Sequence, residues 1–388
     1  DGQVLGKPII AEAVSTNVLG TRSQRSKSQA AAPLTPALAL VQDLTGLLNK
    51  AGPADIGGIL ESIYVLGAPV GYEGKTASER LAEAYECRLA ADTVLSAIDS
   101  AVQDVILQCK LRPADPREKI DCVEWQSELD ETPFRWFHHY WNEITSQRWV
   151  EALPARAWVD WATTVLRLGL GMSYLWEASW THAVAGVIRS AETEIEQISD
   201  IKRLMTPPLP WEAHQLPPGM RNVSSLLRKR VKSAHAIRES LEVVGKNSVA
   251  TINIKSTIEM FRESSIFRES LTSAMSPSET TGKNTWEAIS YVLTSRESVG
   301  NHIDYYGLLR RRGPSILEPD PGVEWIAVVA SLTCGLDRKT CDVGEVLDNL
   351  HSLGARPKLR DLISQLEAAG LARGSADADR GVRVERAF

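Results

Sequence analysis

Two adjacent imidazoles, His138 and His139, precede Glu143, and His139 and Glu143 stand one helical turn apart. On one helix face that pair could supply two ligands of a zinc site, but the sequence offers no third ligand at a recognisable spacing. Thr281-Gly282-Lys283-Asn284-Thr285 has the Gly-Lys of a phosphate loop, yet Pro277 occupies the place of the required earlier glycine and no strand leads into it. Gly169-Leu170-Gly171 sits in a helical run without the third glycine or following acid of a dinucleotide fingerprint, so close helix packing is its expected role. Asp304 near His302, and Glu124 near Asp121, lack the acid-acid-lysine set of a nuclease, and no Gly-x-Ser-x-Gly elbow occurs. Cys87, Cys109, Cys122, Cys334 and Cys341 form neither an even set nor a Cys-x-x-Cys pair, which fits a reducing, cytoplasmic setting. Cys87 and Cys109 lie in helical patterns and are expected as small buried apolar residues. These residues name no reaction. The reading leans to a non-catalytic protein with no metal or small-molecule cofactor; an enzyme would need His138, His139 and nearby acids to converge in a pocket.

The composition supports a soluble globular chain. It has 388 residues, 43% hydrophobic and 24% charged, enough apolar side chain to build a core without metal or disulfide staples. With 43 Lys+Arg against 49 Asp+Glu, the net charge of -6 excludes a surface coated in positive charge for non-specific nucleic-acid binding, while a local basic face stays open. The most apolar stretch, Trp158 to Ile188, is interrupted by Asp160, Arg167 and Glu177, so a buried helix pair is expected there and no membrane span. The opening residues lack the charged-then-apolar layout of an export signal.

The elements that would position these residues are read from periodicity. Residues 1–36 are expected as a flexible segment, small, polar and basic from Thr21 to Pro36. Residues 37–206 are expected as a Trp-rich helical domain, beginning with Leu38, Leu40, Val41, Leu44, Leu47 and Leu48 at helical spacing. Ala77 to Lys110 predicts a helix of about nine turns, with Ser78 as its N-cap and Glu79 in its first turn. Between Phe134 and Trp180 lie Trp136, Trp141, Trp149, Trp158, Trp161, Trp176 and Trp180, interleaved with Arg135, Arg148, Arg156 and Arg167. That mixture suits either a base-stacking platform or a packed core, and Glu143, Glu151, Asp160 and Glu177 balance the arginines. Residues 207–221, with Pro207, Pro208, Pro210, Pro217, Pro218 and Gly219, read as a linker or crossing loop. Residues 222–315 are expected as a second helical region, with helices over Asn222–Val244, Thr251–Arg262 and Trp286–Val299, the start of the second alternating like a strand. Arg228, Lys229, Arg230 and Lys232 make the first of these the most basic stretch, able to meet phosphates or an acidic partner, or to be a solvated face.

The last stretch, residues 316–388, carries three short apolar periods. These are Ile326, Val329 and Ala330; Val343, Val346, Leu347 and Leu350; and Leu359, Leu362, Ile363 and Leu366. Gly354 suits a left-handed C-cap, Pro357 suits the first turn of the third helix, and Gly370 closes that helix. Ala372-Arg373, a polar turn from Gly374 to Arg380, and Val382 to Glu385 then read as two strands. This order, with the string KLRDLISQLEAAGLARGSADADRGVRVERAF, resembles a winged helix-turn-helix domain. The resemblance implies a mainly α fold, a multi-helix bundle scaffold with a C-terminal winged helix and a small β-hairpin wing. It makes Pro357 to Ala369 the recognition helix, with Lys358, Arg360, Ser364 and Gln365 outward toward a groove and Arg373, Arg380 and Arg383 near phosphate. Against a dedicated duplex reader, Glu318 to Phe388 holds 9 Lys+Arg and 12 Asp+Glu, a net of -3.

The function expected is therefore a helical subunit or adaptor of a multi-protein bacterial assembly acting on DNA, in outline similar to accessory subunits of phage-defence or restriction systems. Its partners would be other protein subunits, with DNA as a second ligand and no membrane. The alternatives are a sequence-specific DNA-binding regulator reading through Lys358, Arg360 and Gln365, and the enzyme noted above.

Overall fold

The computed structural model describes residues 56–69, 71–97, 99–100, 129–190, 194–217, 220–245, 254–276, 282–295, 306–313, 315–373 and 381–388. The tether expected over 21–36, the helix expected from Ala37, Cys109, Cys122, Asp121, Glu124, His302, Asp304 and Arg380 lie outside these residues.

The fold is mainly α. Its axis is a single helix that the apolar run builds without a break. In chain order, α1 (Ile56–Leu66), α2 (Ala77–Ala91), α3 (Pro133–Ile144) and α4 (Gln147–Ala152) lead into α5 (Ala155–Arg189), of 35 residues. At 1.5 Å per residue α5 is about 52 Å long. The expected helix pair is thus one helix, because the three charges that interrupt its apolar run all find partners or solvent without breaking the backbone ladder. Asp160 pairs with Arg156 one turn away. Glu177 receives Arg238 at 3.1 Å. Arg167, 5% exposed, donates from Nε to the Val292 carbonyl at 2.8 Å and from Nη2 to the Thr294 carbonyl at 3.0 Å.

Around α5 stand α6 (Ile198–Leu204), a 3-10 turn (Trp211–Gln215), α7 (Ser224–Gly245), α8 (Ile254–Glu263), α9 (Ser265–Ala274) and α10 (Lys283–Leu293). Arg167 therefore caps the carbonyl end of α10, where a cation opposes the negative end of the helix dipole. Helices α3, α7 and α10 pack most extensively on α5. The two glycines of Gly169-Leu170-Gly171 make that approach possible. A Cβ on Gly169 would lie 2.4 Å from Phe137 Cδ2, and one on Gly171 would lie 2.4 Å from Leu293 Cδ2.

The start and the stop of α2 both differ from expectation. Helix α2 is capped by Thr76, not Ser78: Thr76 accepts the Glu79 backbone N–H at 3.1 Å while the Glu79 carboxylate accepts the Thr76 N–H at 2.8 Å. Ser78 instead lies inside α2 and, with the Ala77 N–H, binds the buried carboxylate of Glu61 on α1. Nor does α2 run to Lys110. It stops at Asp92, whose Oδ1 accepts the N–H groups of Val94 and Leu95 and so caps a separate helical turn over 93–97.

After α10 come two small sheets and the C-terminal elements. Strands β1 (Thr294–Ser295), β2 (Leu309–Arg312) and β3 (Ile316–Pro319) form a sheet, β1 parallel to β2 and β2 antiparallel to β3. The helix expected over Trp286–Val299 gives way to β1 at Thr294. Then follow α11 (Val323–Cys334), β4 (Thr340–Asp342), α12 (Val343–Ser352), α13 (Leu359–Ala368), β5 (Ala372–Arg373) and β6 (Arg383–Glu385), with sheet order β4-β6-β5, both pairings antiparallel.

One core runs through the described residues and includes the C-terminal module. All seven tryptophans from Trp136 to Trp180 are buried in it, each 8% exposed or less. Indole N–H groups find internal acceptors: Trp141 donates to the Ala77 carbonyl and Trp158 to the Ile144 carbonyl. The arginines set among them are used within the fold, Arg135 on Asp130, Arg148 on Asp337, Arg156 on Asp160 and Arg167 on α10. Bases have no route to these rings, so the stacking platform is withdrawn in favour of the packed core. No helix among the described residues is long and apolar enough to cross a membrane.

Candidate contact surface of the C-terminal module

The module is built on α11, which buries Trp325, Ile326, Val328, Val329, Ala330, Leu332 and Cys334. Helix α12 starts on a reciprocal cap, Asp342 with Glu345, and presents Val346 and Leu350 to α11. Its stop is the expected one: Gly354 takes φ 86°, and Gly354 and Ala355 N–H groups return to His351 and Leu350 carbonyls. Helix α13 opens later than expected. Lys358 is its N-cap, so Pro357 lies before the helix and only its fixed φ prepares the turn. Leu362 and Leu366 face inward, and Gly370 at φ 71° ends the helix.

Three sets of contacts hold the module to the Trp-rich helices. Trp136 Nε1 on α3 donates to Asn349 Oδ1 on α12 at 2.6 Å, and the Asn349 amide donates in turn to Thr333 Oγ1. Arg148 pairs with Asp337 across the surface. Phe388 sets its ring edge-on to Trp149 and Trp161, with centroids 5.7 and 5.5 Å away, while Arg386 lies over the Phe388 ring. The Pro-rich segment also packs here: Leu209 and Trp211 are buried, and the Trp211 ring meets Trp325 at 5.7 Å.

The residues expected to meet a ligand divide into two groups. On α13, Arg360 and Ser364 are exposed, and Leu359, at the start of the helix, is 46% exposed. Lys358 is exposed as well, with Nζ donating to Gln215 Oε1 at 3.1 Å, and Gln215 Nε2 donates to Asp361 at 2.6 Å. Gln365 departs from expectation. It falls three residues from Leu362 and beside Leu366, at the edge of the inward stripe, and both of its amide atoms are buried without a hydrogen-bond partner. In the sheet, Arg383 is exposed with Nε 3.8 Å from Asp342, and Arg373 is in β5.

On α7 the basic run is split in the same way. Arg228 and Lys229 are exposed. Arg230 lies three residues after Leu227 and four before Ala234, both buried, so it turns inward and donates to the Pro207 and Pro208 carbonyls. Burial pushes its pKa down. Lys232 is 7% exposed, against the loop at Gly282. A phosphate-binding stripe through all four residues is not what this helix presents.

The chemistry considered for His138 and His139 does not assemble. His138 is buried, its Nδ1 hydrogen-bonded to the Tyr64 carbonyl and its ring on Tyr64 at 4.3 Å; burial lowers its pKa. His139 is exposed, and Glu143 accepts the Trp149 indole N–H. Gly282 is the N-cap of α10 and Lys283 sits 3.8 Å from Glu287. Among the described residues, no group of three or more His, Cys, Asp and Glu could hold a metal ion.

Sequence reasoning missed β4 and the meeting of Cys334 with Cys341, whose sulfur atoms lie 2.7 Å apart. A strand of three residues has too little length to show a period of two, and β4 is what brings Cys341 back to the end of α11. Comparisons with protein families, with curated proteins and with solved structures give no match to this chain.

Proposed function

We propose that the C-terminal module is a winged helix and that the chain is a non-catalytic helical subunit of a multi-protein bacterial assembly acting on DNA, of the defence or restriction type. In this reading the module is an adaptor that docks a partner protein through the outer face of α13. The element order helix, strand, helix, helix, strand, strand, with the last two strands paired, supports the first part. The observation that carries the second is the exposure of Arg360 and Ser364 on the outer face of α13, with Leu359, 46% exposed, at the open end of the stripe whose Leu362 and Leu366 are locked into the core. Arginine is enriched at protein interfaces, and the module's net charge of -3 disfavours a polyanion.

The test uses the tagged full chain expressed in its native host, compared with the variant Leu359→Asp/Arg360→Glu. The expected result is a stoichiometric set of co-purifying chains that the variant loses. A clean monomer, or partners indifferent to the variant, refutes the docking face. Site-specific DNA regulation is the second reading, favoured by the exposure of Lys358, Arg360 and Arg383. It predicts salt-sensitive fluorescence anisotropy with a mixed duplex pool, and absence of binding at low salt removes it.

A further inference from the structure

We propose that Cys334 and Cys341 form a dithiol site that a small hydroperoxide oxidises to a disulfide, stapling the end of α11 to β4. The proposal is independent of the docking face. Cys334 is the last residue of α11 and Cys341 the middle residue of β4, and their sulfur atoms meet at 2.7 Å, inside van der Waals separation. A covalent S–S bond is about 2.0 Å long, so closing it moves the sulfurs by less than about 1 Å. The backbone that sets this approach is fixed from both sides. Cys341 is in register with Val384 of β6 in the sheet, and the Val384 carbonyl lies 3.6 Å from Cys334 Sγ. Arg338, in the connecting turn, donates to the Cys334 and Thr333 carbonyls and pairs with Glu345.

The pair is also chemically asymmetric. The two sulfurs share one hydrogen bond, and that contact together with the Arg338 charge draws the Cys334 thiol below its usual range while Cys341 is pushed far up. Cys334, whose carbonyl holds the Arg338 guanidinium beside it, is the attacking sulfur in this reaction. Its thiolate attacks one peroxide oxygen, the O–O bond breaks, and hydroxide leaves to be protonated to water. The resulting sulfenic acid at Cys334 is attacked by the Cys341 sulfur as that thiol gives up its proton; the S–O bond breaks and a second water departs. Two thiols are oxidised and one peroxide is reduced. Both sulfurs are buried beneath a turn whose Asp337, Arg338 and Lys339 are exposed, so the site selects an oxidant as small as hydrogen peroxide over a bulky disulfide.

The test treats the folded full chain with hydrogen peroxide, alkylates remaining thiols, and maps the peptides by mass spectrometry. The expected product is a Cys334–Cys341 cross-link lacking two hydrogens, reversed by dithiothreitol and formed far more slowly with oxidised glutathione. Cys341→Ser should halt the reaction at a sulfenic acid on Cys334, trapped by dimedone, whereas Cys334→Ser should leave Cys341 unlabelled. The oxidised wild-type chain should melt a few degrees higher than the reduced chain, a shift that both variants lose. Recovery of Cys334 and Cys341 as alkylated thiols at peroxide doses that oxidise Cys87 overturns the proposal, as does linkage of either one to another cysteine. The mapping is made on the wild-type chain, so a poorly folding variant does not protect the idea.

Discussion

Deleting the Asn349 amide tests whether the C-terminal module and the Trp-rich helices unfold as one body. Asn349 is 8% exposed and Trp136 is 3% exposed, and the 2.6 Å bond between them crosses from α12 to α3. In Asn349→Ala the indole N–H is left buried without an acceptor, at a cost of about 1–3 kcal/mol. Loss of the partly buried amide bond to Thr333 adds about 0.5–1.5 kcal/mol, giving a total of about 1.5–4.5 kcal/mol. Trp136→Phe removes the donor instead and leaves the amide oxygen unpaired. Because each single change strands the other's partner, the double variant should be less destabilised than the sum of the two, with a coupling of about 1–2 kcal/mol. Urea unfolding followed by both tryptophan fluorescence and far-ultraviolet circular dichroism measures this. A coupling near zero, or a first transition in which the module melts while the tryptophans stay buried, would refute the single-core reasoning.

Three further outcomes follow from the packing and the titrating groups. Gly169→Ala forces a Cβ into the ring of fully buried Phe137 and should lower stability by about 1–3 kcal/mol, whereas Gly186→Ala on the same helix meets nothing within 4 Å and should raise it by up to about 1 kcal/mol; equal urea midpoints for the two would contradict the close approach of α3. Gln365→Leu should raise the urea midpoint, by about 1–2 kcal/mol in stability, since it removes two buried unpaired amide atoms, and a fall would mean that the amide is satisfied. Burial holds His138 and His182 below the ordinary histidine value of about 6.5. The unfolded chain therefore binds more protons than the folded one once pH drops through 6.5, and stability falls with acidification below that point. His138→Asn with His182→Gln preserves the two N–H donors but cannot titrate, so its stability should decline less steeply between pH 7 and pH 5; an unchanged slope would assign the effect to other groups.

How much of this protein could be read in advance depends on how local each cause is. Helices α12 and α13 were legible because their apolar periods, Val346 and Leu350, then Leu362 and Leu366, are bounded by Gly354 and Gly370, which take the positive φ that those stops need. The mainly α fold and the packing role of Gly169 and Gly171 are local in the same sense, being periodicity and side-chain size along one helix. Tertiary structure alone decided that Trp158 to Ile188 is one helix, since Arg167 finds its acceptors 125 and 127 residues away. It decided likewise that Arg230 and Lys232 turn inward, that Gln365 is withdrawn from the outer face of α13, and that Cys334 meets Cys341. Each of those outcomes depends on which surface comes to cover a residue. Periodicity along the chain reports how a residue faces its own helix or strand, and carries no record of what packs against it from elsewhere.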